Sequence, residues 1–124
     1  MKLIDSNLVI HSGKLEYPQL RALLAEMTPS VSAVTIVEVL GYHRLAEREK
    51  EYFEAFFATA VVLDVTPAVI TRAVALRQRR KMALGDALIA ATAVEHGLKL
   101  LTQNVADFAN TPGLHVTNPL ADLS

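Results

Sequence analysis

The sequence predicts a three-layer α/β/α sandwich built on a mainly parallel sheet of four to five strands. Five short segments rich in Val, Leu and Ile lack clear polar alternation, as strands covered on both faces do. They alternate with five amphipathic stretches of helical length, the pattern of a parallel α/β domain. At 124 residues, 52% hydrophobic and 20% charged, the chain suits one domain, 1–124, with a single sizeable core. It contains no internal repeat, linker or low-complexity tract.

The predicted strands are Leu3–Asp5, Val31–Val34, Val61–Val65, Lys99–Thr102 and Leu114–Thr117. The first ends in Asp5-Ser6-Asn7, whose side chains bond their own backbone and stop a strand in a turn. Between the strands, helices are expected over Tyr17–Met27, Ile36–Ala46, Glu49–Thr59, Pro67–Arg80 and Ala87–His96. Thr35 and Glu38 have the spacing of a capping box at a helix start. Pro67 follows Thr66, a predicted N-cap, where its missing N–H is harmless. Gly97 after Glu95-His96 reads as a helix end. The segment Ala87–His96 is apolar on most faces and belongs against the sheet. Tyr52–Phe57 places four aromatics on a turn and a half, more than one core-facing stripe needs.

Composition narrows the function. A formal net charge of −1 provides no global basic field, so any nucleic-acid contact is local or supplied through a metal. Without cysteine there is neither a disulfide framework nor a zinc–thiolate site, which suits a cytoplasmic protein. No apolar run is long enough to span a membrane, and the N-terminus lacks a signal-peptide pattern. The four histidines, 11, 43, 96 and 115, have no ligand spacing and read as structural.

Four acids fall where ligands of a parallel sheet gather, at strand ends and the helix starts that follow. Asp5 ends the first strand, and Glu38 lies in the first helical turn after the second. Asp86 opens the most buried helix, and Asp107 follows the strand "KLLT". Each has an ordinary explanation alone: a turn, a capping box, a first-turn acid or a cap. None of these explains why all four share one end of one sheet. Close carboxylates repel unless a cation holds them ionised. Hard oxygen donors with no cysteine favour Mg²⁺ or Mn²⁺ over zinc.

The segments "LIDSNLVI", "SAVTIVEVLGY", "LGDALIAATAVEHGLKLLTQNVADF" and "PGLHVTNP" together resemble the PIN-domain proteins, specifically ribonuclease toxins of the VapC type. The resemblance spans nearly the whole chain. It implies a Mg²⁺- or Mn²⁺-dependent endonuclease for single-stranded RNA, a homodimer and a cognate antitoxin that blocks the site. Asp5, Glu38 and Asp86 match the three acids of the family's metal site. The fourth position falls in "TQNVADF", where many members carry Asp and this chain has Asn104, with Asp107 at the "DF" position. That leaves Asp107 as the fourth carboxylate or as an outer group beside the ligands, while Asn104 offers a weaker neutral oxygen. Ser6 and Thr102 lie beside these groups, where they can orient them.

Arg77, Arg79, Arg80 and Lys81 place four cations just before Asp86. They read either as a solvated helix end or as a local patch for RNA phosphates. Part of the aromatic turn around Phe53, Phe56 and Phe57 is a candidate surface for a second copy or an antitoxin. Two rivals compete. A signalling receiver domain needs an acidic pair after its first strand, whereas Asp5 is single and Asp64 lies inside "VLDV". A PIN-like module that binds without cutting is the other, with Asn104 in its favour and the retained Asp5, Glu38 and Asp86 against it.

Overall fold

The structure, a computed structural model, describes residues 1–122. Strands β1 (Lys2–Ile4), β2 (Ser30–Ser32), β3 (Val61–Leu63), β4 (Lys99–Leu101) and β5 (Val116–Thr117) form one sheet in the order β3-β2-β1-β4-β5. Every neighbouring pair is parallel. The chain runs outward from β1 through β2 to β3, then returns to lie on the other side of β1. The order therefore reverses between β1 and β4. In open α/β sheets such a reversal opens a crevice outside the strands' carboxyl ends.

Among the described residues seven helices cover the sheet: α1 (Ser6–Ser12), α2 (Pro18–Glu26), α3 (Ala33–Leu40), α4 (Glu47–Thr59), α5 (Pro67–Arg79), α6 (Leu84–His96) and α7 (Val105–Phe108). A 3₁₀ turn, Pro119–Asp122, ends the described chain. Successive strand side chains point to opposite faces. The paired Leu3 and Leu100 thus join one core with α5, α6 and α7, while the paired Ile4 and Leu101 join another with α1, α2 and α4. No helix among the described residues is long and apolar enough to cross a membrane.

Several boundaries differ from the sequence prediction for local reasons. Asp5 does not end β1 in a simple turn. It is the N-cap of the seven-residue helix α1, its carboxylate accepting from the Ser6 N–H at 2.8 Å. Helix α3 begins earlier than predicted, because Ser32 accepts from the Val34 N–H at 3.1 Å and caps it. Thr35 and Glu38 therefore do not form a capping box, and Glu38 stands in the second turn. The same helix stops at Leu40 rather than running to Ala46. Helix α6 starts at Leu84, placing Asp86 inside its first turn. Thr66 caps α5 by accepting from the Val69 N–H at 3.2 Å, as predicted. Gly97 closes α6 at φ 63°, left-handed backbone that glycine adopts without strain.

Candidate active site

Asp5 is held at the carboxyl end of β1, beside the reversal in strand order, and is 3% exposed. Its N–H donates to the Leu101 carbonyl at 2.9 Å, continuing the pairing of β1 with β4. One carboxylate oxygen accepts from the Ser6 N–H, and the other accepts from the Thr102 hydroxyl at 2.6 Å. Thr102, fully buried just past β4, in turn accepts from the Asn104 N–H at 3.0 Å. This chain of donors fixes the rotamer of a carboxylate that water barely reaches.

Glu38 is exposed, yet one of its oxygens accepts from the Ser6 hydroxyl at 2.7 Å. Ser6 Oγ also lies 3.0 Å from the hydroxyl oxygen of buried Thr35. Ser6 therefore ties the start of α1 to α3. The other Glu38 oxygen packs on Gly85, where an added Cβ would stand only 2.6 Å away. Glycine at this position lets the Glu38 carboxylate reach the first turn of α6, next to Asp86.

Electrostatics join all four acids. Burial raises the Asp86 carboxyl above its ordinary value, and Asp5, Asp107 and Glu38 raise it further, while Arg80 pulls it down. Burial likewise raises Asp5, against the hydrogen bonds from Thr102 and Ser6, with Glu38 and Asp107 adding to the rise. Carboxylates from α3, α6, α7 and the end of β1 thus share one field at one edge of the sheet. The donor set fits a hard divalent cation: oxygen only, net negative and self-repelling. As the side chains stand, no three Asp, Glu, His or Cys groups among the described residues are gathered closely enough to hold an ion. Closure on a cation requires movement, and Glu38 and Asp107 are exposed while Asp5 is pinned.

Asn104 is exposed and precedes α7, whose first bond runs from the Asp107 N–H to the Asn104 carbonyl at 3.0 Å. The basic segment is partly engaged with backbone. Arg77 donates to the Met82 carbonyl at 3.2 Å, and Arg79 to the Asn110 carbonyl at 3.3 Å. Arg80 donates to the carbonyls of Asp107 at 2.6 Å and Ala109 at 3.2 Å. Lys81 is exposed. Sequence reasoning missed Thr35 and Gly85 as members of the site. The adjacency of Gly85 to Asp86 was its one local signal, because both contacts bridge elements distant in the chain.

The PIN domain family model matches residues 2–114. The chain belongs to the PIN-domain family. Ribonuclease VapC19 of Mycobacterium tuberculosis is 34% identical over 122 residues, covering 92% of this chain and 97% of that protein. Within the family the chain is accordingly of the VapC type. A chain of a toxin–antitoxin complex from Klebsiella pneumoniae superposes with a TM-score of 0.75 at 31% identity, covering 96% of this chain and 98% of that one. The DNA-bound VapBC structure from Salmonella typhimurium shares the fold, with a TM-score of 0.82 at 23% identity over 95% of this chain and 98% of its own.

Proposed function

We propose that this chain is the toxic ribonuclease of a toxin–antitoxin pair, an endonuclease that hydrolyses single-stranded RNA with Mg²⁺ or Mn²⁺ held by Asp5, Glu38, Asp86 and Asp107. One observation carries the reading. Asp5, Glu38 and Asp107 come from separate elements to the carboxyl end of the sheet, where, beyond the effect of burial, they raise the Asp86 carboxyl and Arg80 lowers it. A bound Mg²⁺ would acidify a water and draw charge from the phosphate. The chain's own residues prepare that site. Thr102 and the Ser6 N–H orient Asp5, and the Ser6 hydroxyl orients Glu38. Gly85 leaves room for Glu38 beside Asp86. Glu38 and Asp107 have the exposure to turn onto an ion, and in this reading one of the four carboxylates takes a proton from water.

In this reading Lys81 and the unused N–H groups of Arg77, Arg79 and Arg80 hold RNA phosphates locally, in a chain whose net charge is −1. The partners are a cognate antitoxin and a second copy of the chain, in the cytoplasm. The kinship to a ribonuclease and to a chain of a toxin–antitoxin complex supports this. Two apolar surfaces are available for such partners. One is the groove of about 490 Å³ lined by Leu24, Met27, Tyr52 and Phe56, and the other is exposed Ile70 and Val74, one turn apart on α5.

The test is cleavage of single-stranded RNA by purified protein. Activity with Mg²⁺ or Mn²⁺ that disappears in EDTA and in Asp86→Asn is the expected result. Cleavage at full rate in chelator overturns the metal mechanism. Metal uptake and RNA binding without cleavage would leave a binding module instead.

A further inference from the structure

Helix α7 carries Asp107 but cannot hold itself in place. Four residues lie far below the length at which a helix is stable alone, so its orientation comes from outside. On one side the Phe108 ring, 1% exposed, anchors it in the core shared with α5 and α6. On the other, its carbonyls are capped by the basic end of α5. The Arg80 guanidinium spans the carbonyls of Asp107 and Ala109, and Arg79 reaches that of Asn110. Asn110 itself has φ 61°, a left-handed turn that asparagine tolerates better than most residues. A helix end leaves carbonyls without partners, and guanidinium groups at that end both satisfy them and complement the dipole.

We propose that Arg80 is a positioning residue, whose guanidinium, closed on the carbonyls of Asp107 and Ala109, holds α7 so that the Asp107 carboxylate faces the acid cluster. The assignment rests on the ribonuclease reading for the cluster's purpose but not for the clamp itself. It differs from a phosphate-contact role, because the donors that make these bonds are spent on backbone. Geometry matters as well as charge, because both bonds come from the two hydrogens of one terminal nitrogen, Nη2. The rigid plane of the guanidinium fixes where those two N–H bonds point, whereas a lysine ammonium turns freely on a flexible stem and holds both carbonyls less firmly.

The two roles differ in sign, so one set of variants separates them. Arg80 is a cation beside a cation site, and losing its charge alone would tighten divalent binding. Losing the clamp would loosen it. In Arg80→Ala, Mn²⁺ titrated calorimetrically without RNA should bind roughly tenfold more weakly, the low end for outer partners of metal ligands. Backbone amide exchange at residues 107 and 109 should accelerate in the metal-free protein. Arg80→Lys should recover only part of both, and far-UV circular dichroism should report a folded chain throughout. Unchanged exchange in α7, or Mn²⁺ binding that is unchanged or tighter, overturns the clamp. A rise confined to the KM for RNA, steep in salt, does the same and assigns Arg80 to phosphate. If the wild type takes up no divalent ion, the ribonuclease reading fails, and amide exchange alone still decides the clamp.

Discussion

The two faces of the sheet are filled by different means. Against one face, α6 buries Ala87, Ala90, Ala91 and Ala93, with Ile89 its only large fully buried side chain. Against the other, α4 buries Phe53 and Phe57, and Tyr52 and Phe56 pack around them. Helix-packing distance follows the side chains at the contact, so alanines bring the α6 backbone close and hold it there. Its first turn is then a firm platform for Asp86. Bulky rings fill the space beneath α4, and that side bears grooves of about 490 and 650 Å³ flanking Tyr52 and Arg21. The closely packed face positions charge, while the ring-packed face leaves room for something to bind.

Stability should break this comparison first. Phe53→Ala empties the centre of the ring-packed core and should cost about 3–5 kcal/mol. Ala90→Leu overfills the alanine face and should cost about 1–3 kcal/mol. Denaturant unfolding of both variants gives the two values. The sharper contrast is in metal affinity, which Ala90→Leu should weaken by shifting the first turn of α6 and folded Phe53→Ala should spare.

Smaller effects are expected within the site. Asp107 bears a charge felt at both Asp5 and Asp86, whereas Asn104 offers only a neutral oxygen. Asp107→Asn should therefore weaken Mn²⁺ binding and cleavage more than Asn104→Ala does. Asn104→Asp should preserve or raise activity by adding a carboxylate. An inactive Asn104→Ala beside a fully active Asp107→Asn would reverse the assignment. Gly85→Ala should change least in stability, since alanine suits a helix better than glycine and the atom it meets is the end of a flexible side chain. Its thermal midpoint should hold or rise while cleavage falls, because Glu38 is pushed aside.

The sheet, its parallel sense and the strand ends bearing acids were legible because strands buried on both faces leave continuous apolar runs. Asp5 shows where legibility stopped. Asp-Ser-Asn looks the same before a turn as before a helix, and α1 is too short to declare a 3.6-residue period. The Thr35–Glu38 spacing matched a capping box, but Ser32 does the capping and Glu38 is held by Ser6, 32 residues away. Spacing reports local bonds and cannot report that one. The run Arg77 to Lys81 showed its charge in the sequence and not its partners, since the carbonyls of Asp107, Ala109 and Asn110 are supplied by a distant turn.

The central claim is that these acids form one divalent-cation site, and thermal unfolding of wild type and Asp86→Asn with and without Mn²⁺ tests it most directly. The sign follows from the raised Asp86 carboxyl. Its stabilising contribution is complete below the unfolded value of 3.8 and is lost as pH rises through the higher folded value. At neutral pH the metal-free wild type therefore carries the cost of a partly buried charge and its repulsion by the neighbouring acids, which Asp86→Asn relieves. The variant should melt higher than wild type without metal, and this advantage should vanish below pH 3.8. Mn²⁺ should raise the wild-type midpoint at neutral pH and raise that of Asp86→Asn much less. Equal Mn²⁺ responses in the two proteins, or none in the wild type, would contradict the account.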